Sequence, residues 1–134
     1  MRVAYLVIIT GLFLTLTGQA QAVPIVIGGE WQQFSWTGGP GKMNNEGPFT
    51  FESTSWTLLK VTDILADGDQ FAVYDQFNDA PDPDLLGVTS VPYHTERRGE
   101  IIIPFAYDNL RFSSGEFLLR PGSHSITIET IRVG

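Results

Sequence analysis

Residues 68–77 read Gly68-Asp69-Gln70-Phe71-Ala72-Val73-Tyr74-Asp75-Gln76-Phe77. Phe71, Val73 and Phe77 share one parity and Ala72 and Tyr74 the other. A period of two belongs to a β-strand, where successive side chains point to opposite faces. Asp67-Gly68 in front of the run is a turn pair, because glycine accepts the positive φ that a tight turn requires.

The same texture extends in both directions. Upstream, Glu30–Thr37 carries Trp31, Phe34 and Trp36 and is closed by Gly38-Gly39-Pro40-Gly41. Pro48–Glu52 sets Phe49 and Phe51 on one face, and Trp56–Ile64 is a mostly apolar strand. Downstream, strands are expected within Leu85–Tyr93, near Gly87–Ser90, and at Glu100–Phe105 and Gly115–Leu119. Pro121-Gly122 makes a turn, and Ser123–Val133 is the last strand. In that strand Ile126 and Ile128 point inward, followed by Ile131 and Val133. The change of parity predicts a bulge near Glu129-Thr130. No long window after residue 22 has helical periodicity, although Asn109–Ser114 could make a single helical turn. Short aromatic and β-branched strands between turn signals predict an all-β fold. The expected architecture is a two-sheet antiparallel β-sandwich, jelly-roll-like, of about eight strands.

The N-terminus reads differently. Met1-Arg2 is a positive start, Val3–Leu16 an apolar run, and Ala20-Gln21-Ala22 a small-residue cleavage pattern. This is the form of a secretory signal peptide, so residues 1–22 are expected to be removed and 23–134 to fold as one domain. The run is too short to span a bilayer comfortably, and no second apolar span follows, so no membrane span is expected in the mature chain. The expected location is secreted, extracellular or periplasmic.

Composition excludes several classes of function. The net charge is −7, which repels phosphate backbones and argues against nucleic-acid binding. There is no cysteine, so disulfides, thiolate metal sites and cysteine nucleophiles are absent. A cysteine-free exported domain suits a bacterial source.

The segment 63–84 holds seven carboxylates, Asp63, Asp67, Asp69, Asp75, Asp79, Asp82 and Asp84, with no lysine or arginine. Hard oxygen donors at this density suit calcium. Asp67, Asp69, Asp75, Asp79, Asp82 and Asp84 are the candidate ligands, with Pro81 and Pro83 stiffening the loop that carries three of them. The alternative is that these aspartates cap turns and form a solvated face, since the EF-hand spacing is missing. His94 and His124 are not spaced as a metal pair; a hydrogen-bonded histidine at a strand start is the plainer reading of His124. No Gly-x-Ser-x-Gly elbow and no phosphate-cradling glycine loop occurs. Trp31, Trp36, Trp56, Tyr93 and Tyr107 are the rings that could stack on a sugar. Phe34 and Trp36 share parity and face the core, which turns Trp31 outward and makes it the expected ligand-binding ring.

Several segments resemble a group of uncharacterised secreted bacterial proteins, many of the PEP-CTERM type. These are Leu59-Lys60-Val61-Thr62-Asp63 followed by Gly68–Asp75, then Leu86-Gly87-Val88-Thr89-Ser90, and finally Phe112–Phe117 with Leu119–Ile128. The resemblance covers most of residues 48–128 and implies a secreted β-sandwich. It carries no catalytic motif. The Pro-Glu-Pro element, membrane helix and arginine cluster of that type are not matched at Ile131-Arg132-Val133-Gly134, so anchoring by that route is not inferred.

Together these readings lead to the expectation of a secreted, non-enzymatic binding or extracellular matrix module. Its partner would be a polysaccharide or another extracellular protein. The alternatives are a calcium-stabilised structural module and a small polysaccharide-acting enzyme.

Overall fold

Alternating apolar residues leave each strand with one face to bury, and two sheets facing each other bury both. The computed structural model of the chain describes residues 2–9, 22–63, 68–92 and 112–134 and has this arrangement. Its strands are β1 (Arg2–Ile9), β2 (Val23–Pro24), β3 (Gln32–Trp36), β4 (Lys42–Met43) and β5 (Phe49–Ser53). They continue with β6 (Thr57–Asp63), β7 (Gln70–Asp75), β8 (Asp84–Val88), β9 (Ser114–Leu119) and β10 (Gly122–Arg132). A 3-10 turn, Phe77–Asp79, follows β7.

The four-stranded sheet runs β3-β1-β6-β9, and every neighbouring pair in it is antiparallel. The six-stranded sheet runs β2-β5-β10-β7-β8, with β4 also paired to β10. Its pairs are antiparallel except for the two-residue contact of β2 with β5. The fold is therefore the expected all-β sandwich. It has ten strands among the described residues: seven of the eight expected ones, together with β1 and the short β2 and β4.

The core follows the alternation. Phe34 and Trp36 of β3, Ala4 and Leu6 of β1, Leu59 and Val61 of β6, and Phe117 and Leu119 of β9 face inward from one sheet. Phe49 and Phe51, Phe71 and Val73, and Ile126 and Ile128 face them from the other. The sheets lock through Phe71, whose ring meets Phe34 edge-on at 5.2 Å and Trp36 edge-on at 5.0 Å between centroids. Such contacts add to the burial of the rings themselves.

One local expectation, the inward placement of Ile131, is corrected. The register shift in β10 falls between Thr130 and Arg132, at the end of the expected Glu129-Thr130 position. Thr130 keeps the inward parity and is buried, so Ile131 is the extra residue of the bulge and is 36% exposed instead of facing the core. Of the expected turn at Asn109–Ser114, residues 109–111 lie outside the described residues, and Ser114 opens β9. The expected strand at Glu100–Phe105, and His94, Tyr93, Tyr107 and Asp67, lie outside the described residues.

Residues 2–9, part of the expected leader, form β1 in this structure, and residues 10–21 lie outside the described residues. Among the described residues no helix is long and apolar enough to cross a membrane.

Phe71→Ala removes the contact that joins the sheets. We expect a loss of about 3–5 kcal/mol and a fall in melting temperature of order 10 °C or more in a thermal melt. A second prediction concerns β7 and β10. The Tyr74 hydroxyl donates to Glu129 Oε1 at 2.9 Å. That bond, then burial and the adjacent negative charge, raises the phenol above its ordinary value of 10.0. Tyr74 therefore stays protonated past the point where the unfolded chain ionises. The stability this contributes is present below that point and is lost as pH rises through the folded value. An absorbance titration should show one tyrosine ionising late, and Glu129→Gln should move that step downward.

Candidate functional site

A cleft of 180 Å³ opens where the two sheets meet, with lining residues from both. β9 supplies Leu118 and Leu119; β7, β8 and β10 supply Asp75, Asp84, Leu86 and His124. Trp56, Phe77 and Arg120 come from the connections between strands.

The corner behind the cleft is set by Pro121-Gly122. β9 and β10 follow one another across it but belong to different sheets, so this turn carries the chain from one layer to the other. Gly122 has φ +145°, and a Cβ there would lie 2.5 Å from the Phe77 ring and 2.8 Å from Asn78 Oδ1. Only glycine admits both the conformation and the close approach. The Asn78 side chain in turn accepts from the Ser123 N–H at 2.9 Å. Asn78 and Asp79 adopt positive φ of 50° and 54°, which folds the 3-10 turn back over β10. Phe77 thus lies against the corner, and the Arg120 guanidinium sits 4.0 Å above its ring in a cation–π contact.

Beneath these groups lies a buried polar pair. His124 Nδ1 meets Asp75 Oδ2 at 2.7 Å, and Nε2 meets the Arg120 carbonyl at 2.8 Å. A carbonyl can only accept, so Nε2 carries a hydrogen, and one proton lies between Nδ1 and the carboxylate. Asp75 Oδ1 also accepts the Ser125 N–H at 3.1 Å. The imidazole stacks on Phe51 at 4.8 Å and packs against Phe77 at 5.1 Å. Both ring nitrogens are engaged with fixed groups and the ring is buried, so His124 supports the cleft floor and presents no base to a ligand. This is the hydrogen-bonded strand-start histidine of the plainer reading.

The rim is different. Trp56 is 63% exposed and Leu118 66% exposed. Trp56 is turned outward by a hydroxyl knot in the β5–β6 connection. Ser53 Oγ and Thr57 Oγ1 lie 2.6 Å apart, both buried, and their two hydroxyl protons are shared between that contact and the Ser55 carbonyl. This tightens the loop and leaves the indole at its outer edge. Asp84, exposed, stands at the start of β8 and is the register partner of Asp75.

The expected site residues are therefore dispersed, with two exceptions. Asp75 and Asp84 come together at the cleft, one beneath it and one on its rim. Asp69 is buried at the far end of β7 and accepts the Gly134 N–H at 3.0 Å. Asp79 and Asp82 are exposed on the connection between β7 and β8. Among the described residues no three acidic or histidine side chains converge so as to hold a metal ion. Trp31 is half-buried ahead of β3, and Trp36 is in the core. Arg120, Phe77 and Leu118 were not among the sequence candidates. Leu118 had a signal: it lies at outward parity between Phe117 and Leu119.

Asp75→Ala should strand a buried imidazole and the Ser125 N–H, costing about 3 kcal/mol. Asp84→Ala on the rim should change stability by no more than about 0.5 kcal/mol. Urea denaturation of the two variants separates floor from rim; equal losses would mean that the pair does not support the corner.

No protein-family model, no characterised protein and no solved structure matches the chain.

Proposed function

We propose that this chain is a secreted, non-enzymatic binding module whose cleft takes a carbohydrate, with the Trp56 indole as its stacking platform. The observation that carries the reading is a large aromatic ring left 63% exposed at the mouth of a cleft whose floor is fixed. An exposed indole has apolar area to bury, and a flat ring complements the apolar face of a pyranose. Leu118 extends the apolar surface, while the Asp84 carboxylate and Arg120 guanidinium, both lining the cleft, can bond hydroxyls at its edge.

The floor supports binding over catalysis. Asp75 and His124, the groups that could move a proton there, are already bonded to each other and to backbone atoms. The net charge of −7 favours neutral over acidic glycans, since like charges raise the cost of approach. Secretion is supported by the leader-like pattern of residues 1–22.

Titration with neutral cello-, manno- and chito-oligosaccharides, followed by tryptophan fluorescence, tests the reading. We expect one series to shift the emission of the native chain. Trp56→Ala should bind at least tenfold more weakly, about 1.4 kcal/mol, with an unchanged melting temperature. Equal binding by Trp56→Ala, or no binding across the series, would sink it.

A further inference from the structure

We propose that the groove between β3 and β6 is a strand-acceptor site: residues 2–9 fill it in this structure, and once they are removed it takes an extended segment of a partner protein with the same inward pattern. The second half of that statement rests on the expected removal of residues 1–22. The groove does not.

The strand in the groove is doubly paired. Its residues oppose β3 from Arg2↔Trp36 to Leu6↔Gln32, and oppose β6 from Ala4↔Asp63 to Ile9↔Leu58. Two backbone edges are therefore satisfied by one segment. Without it no other described strand would pair β3 or that edge of β6, and an unpaired row of N–H and C=O groups is the condition under which a sheet recruits a strand from elsewhere. The loss would fall hardest on β3, because β1 is its sheet neighbour and no other strand pairs with it among the described residues. Phe34 and Trp36, which hold Phe71 across the core, sit on that strand.

The groove also specifies what fits. Ala4 and Leu6 point inward and are both fully buried, while Val3 and Tyr5, of the other parity, are half-buried. Opposite Ala4 stand Phe34 on β3 and the buried Asp63 on β6, and opposite Leu6 stands Val61 on β6. An occupant thus needs a small residue and a branched aliphatic residue two positions apart, with no carboxylate at either, since Asp63 faces the first and Val61 the second. Backbone pairing supplies affinity and the alternate side chains supply selection, the mode of recognition by strand addition. The apolar run that reads as a leader meets this pattern because both a leader and an inward-facing strand require uncharged, apolar residues.

The test uses the full chain with a specific protease site placed within residues 10–21 and cut after folding. The probe is a labelled peptide of residues 2–9 with a lysine tail for solubility, compared with the same peptide carrying Leu6→Asp. We expect the cut chain to retain its N-terminal segment through gel filtration. The labelled peptide in excess should replace it, one per chain, at least tenfold better than the Leu6→Asp peptide. Leu6→Asp in the uncut chain should lower the melting temperature clearly. The groove is overturned if the segment leaves on cutting with the melting temperature unchanged, if both peptides bind alike, or if Leu6→Asp leaves the uncut chain as stable as before. N-terminal sequencing of the exported protein separately reports whether residues 1–22 are removed, so failure of the leader reading and failure of the groove are distinguishable.

Discussion

The contact of Phe71 with Phe34 and Trp36 is the point on which the sandwich depends. Each sheet has an inner face it cannot expose, and these rings are where the two faces meet edge to face. Their strands lie in different sheets, so the contact fixes how the layers stand over one another. Aliphatic residues from β6, β9 and β10 then fill the space around them. With no cysteine in the chain, packing of this kind takes the place that disulfides hold in many small exported domains.

Where the chain passes from one sheet to the other, polar chemistry takes over. The Pro121-Gly122 corner brings Phe77 within a distance that any side chain at Gly122 would forbid. The Asp75–His124 pair then ties the end of β7 to the start of β10, and through the Arg120 carbonyl to the end of β9. A buried pair of this sort adds little net stability over an apolar substitute, but it resists being broken one partner at a time. Its effect here is geometric: it sets the floor of the cleft, against which Arg120, Asp84 and Trp56 are displayed.

The N-terminal run shows one sequence meeting two demands. Uncharged apolar residues suit a leader, and the same residues suit a strand with both edges paired and its inner face buried. β1 lies between β3 and β6, so the strand that carries Phe34 and Trp36 is paired through the N-terminal apolar segment.

How much of this was legible beforehand can be followed residue by residue. Period two placed Phe34 and Trp36, Phe49 and Phe51, Phe71 and Val73, and Ile126 and Ile128 in the core, and the structure buries all of them. Alternation is local, so a sequence carries it whole. The bulge in β10 was foreseen, but its position, which decides the fate of Ile131, depends on where β7 ends opposite it. Parity along β3 reaches back to Trp31 and turns it outward from Phe34 and Trp36. Parity has no meaning for Trp56, which sits in a connection whose course is set by the bonds of Ser53 and Thr57. Likewise nothing local relates Asp75 to His124, or Arg120 to Phe77, until β7 and β10 pair and the corner closes. The sequence by itself determined the class of fold, the residues that face the core and the lack of covalent cross-links, because each follows from composition or from neighbours along the chain. Only the tertiary structure decided which strands adjoin, where the cleft opens and which side chains share it, because those depend on residues distant in sequence that pairing and packing bring together.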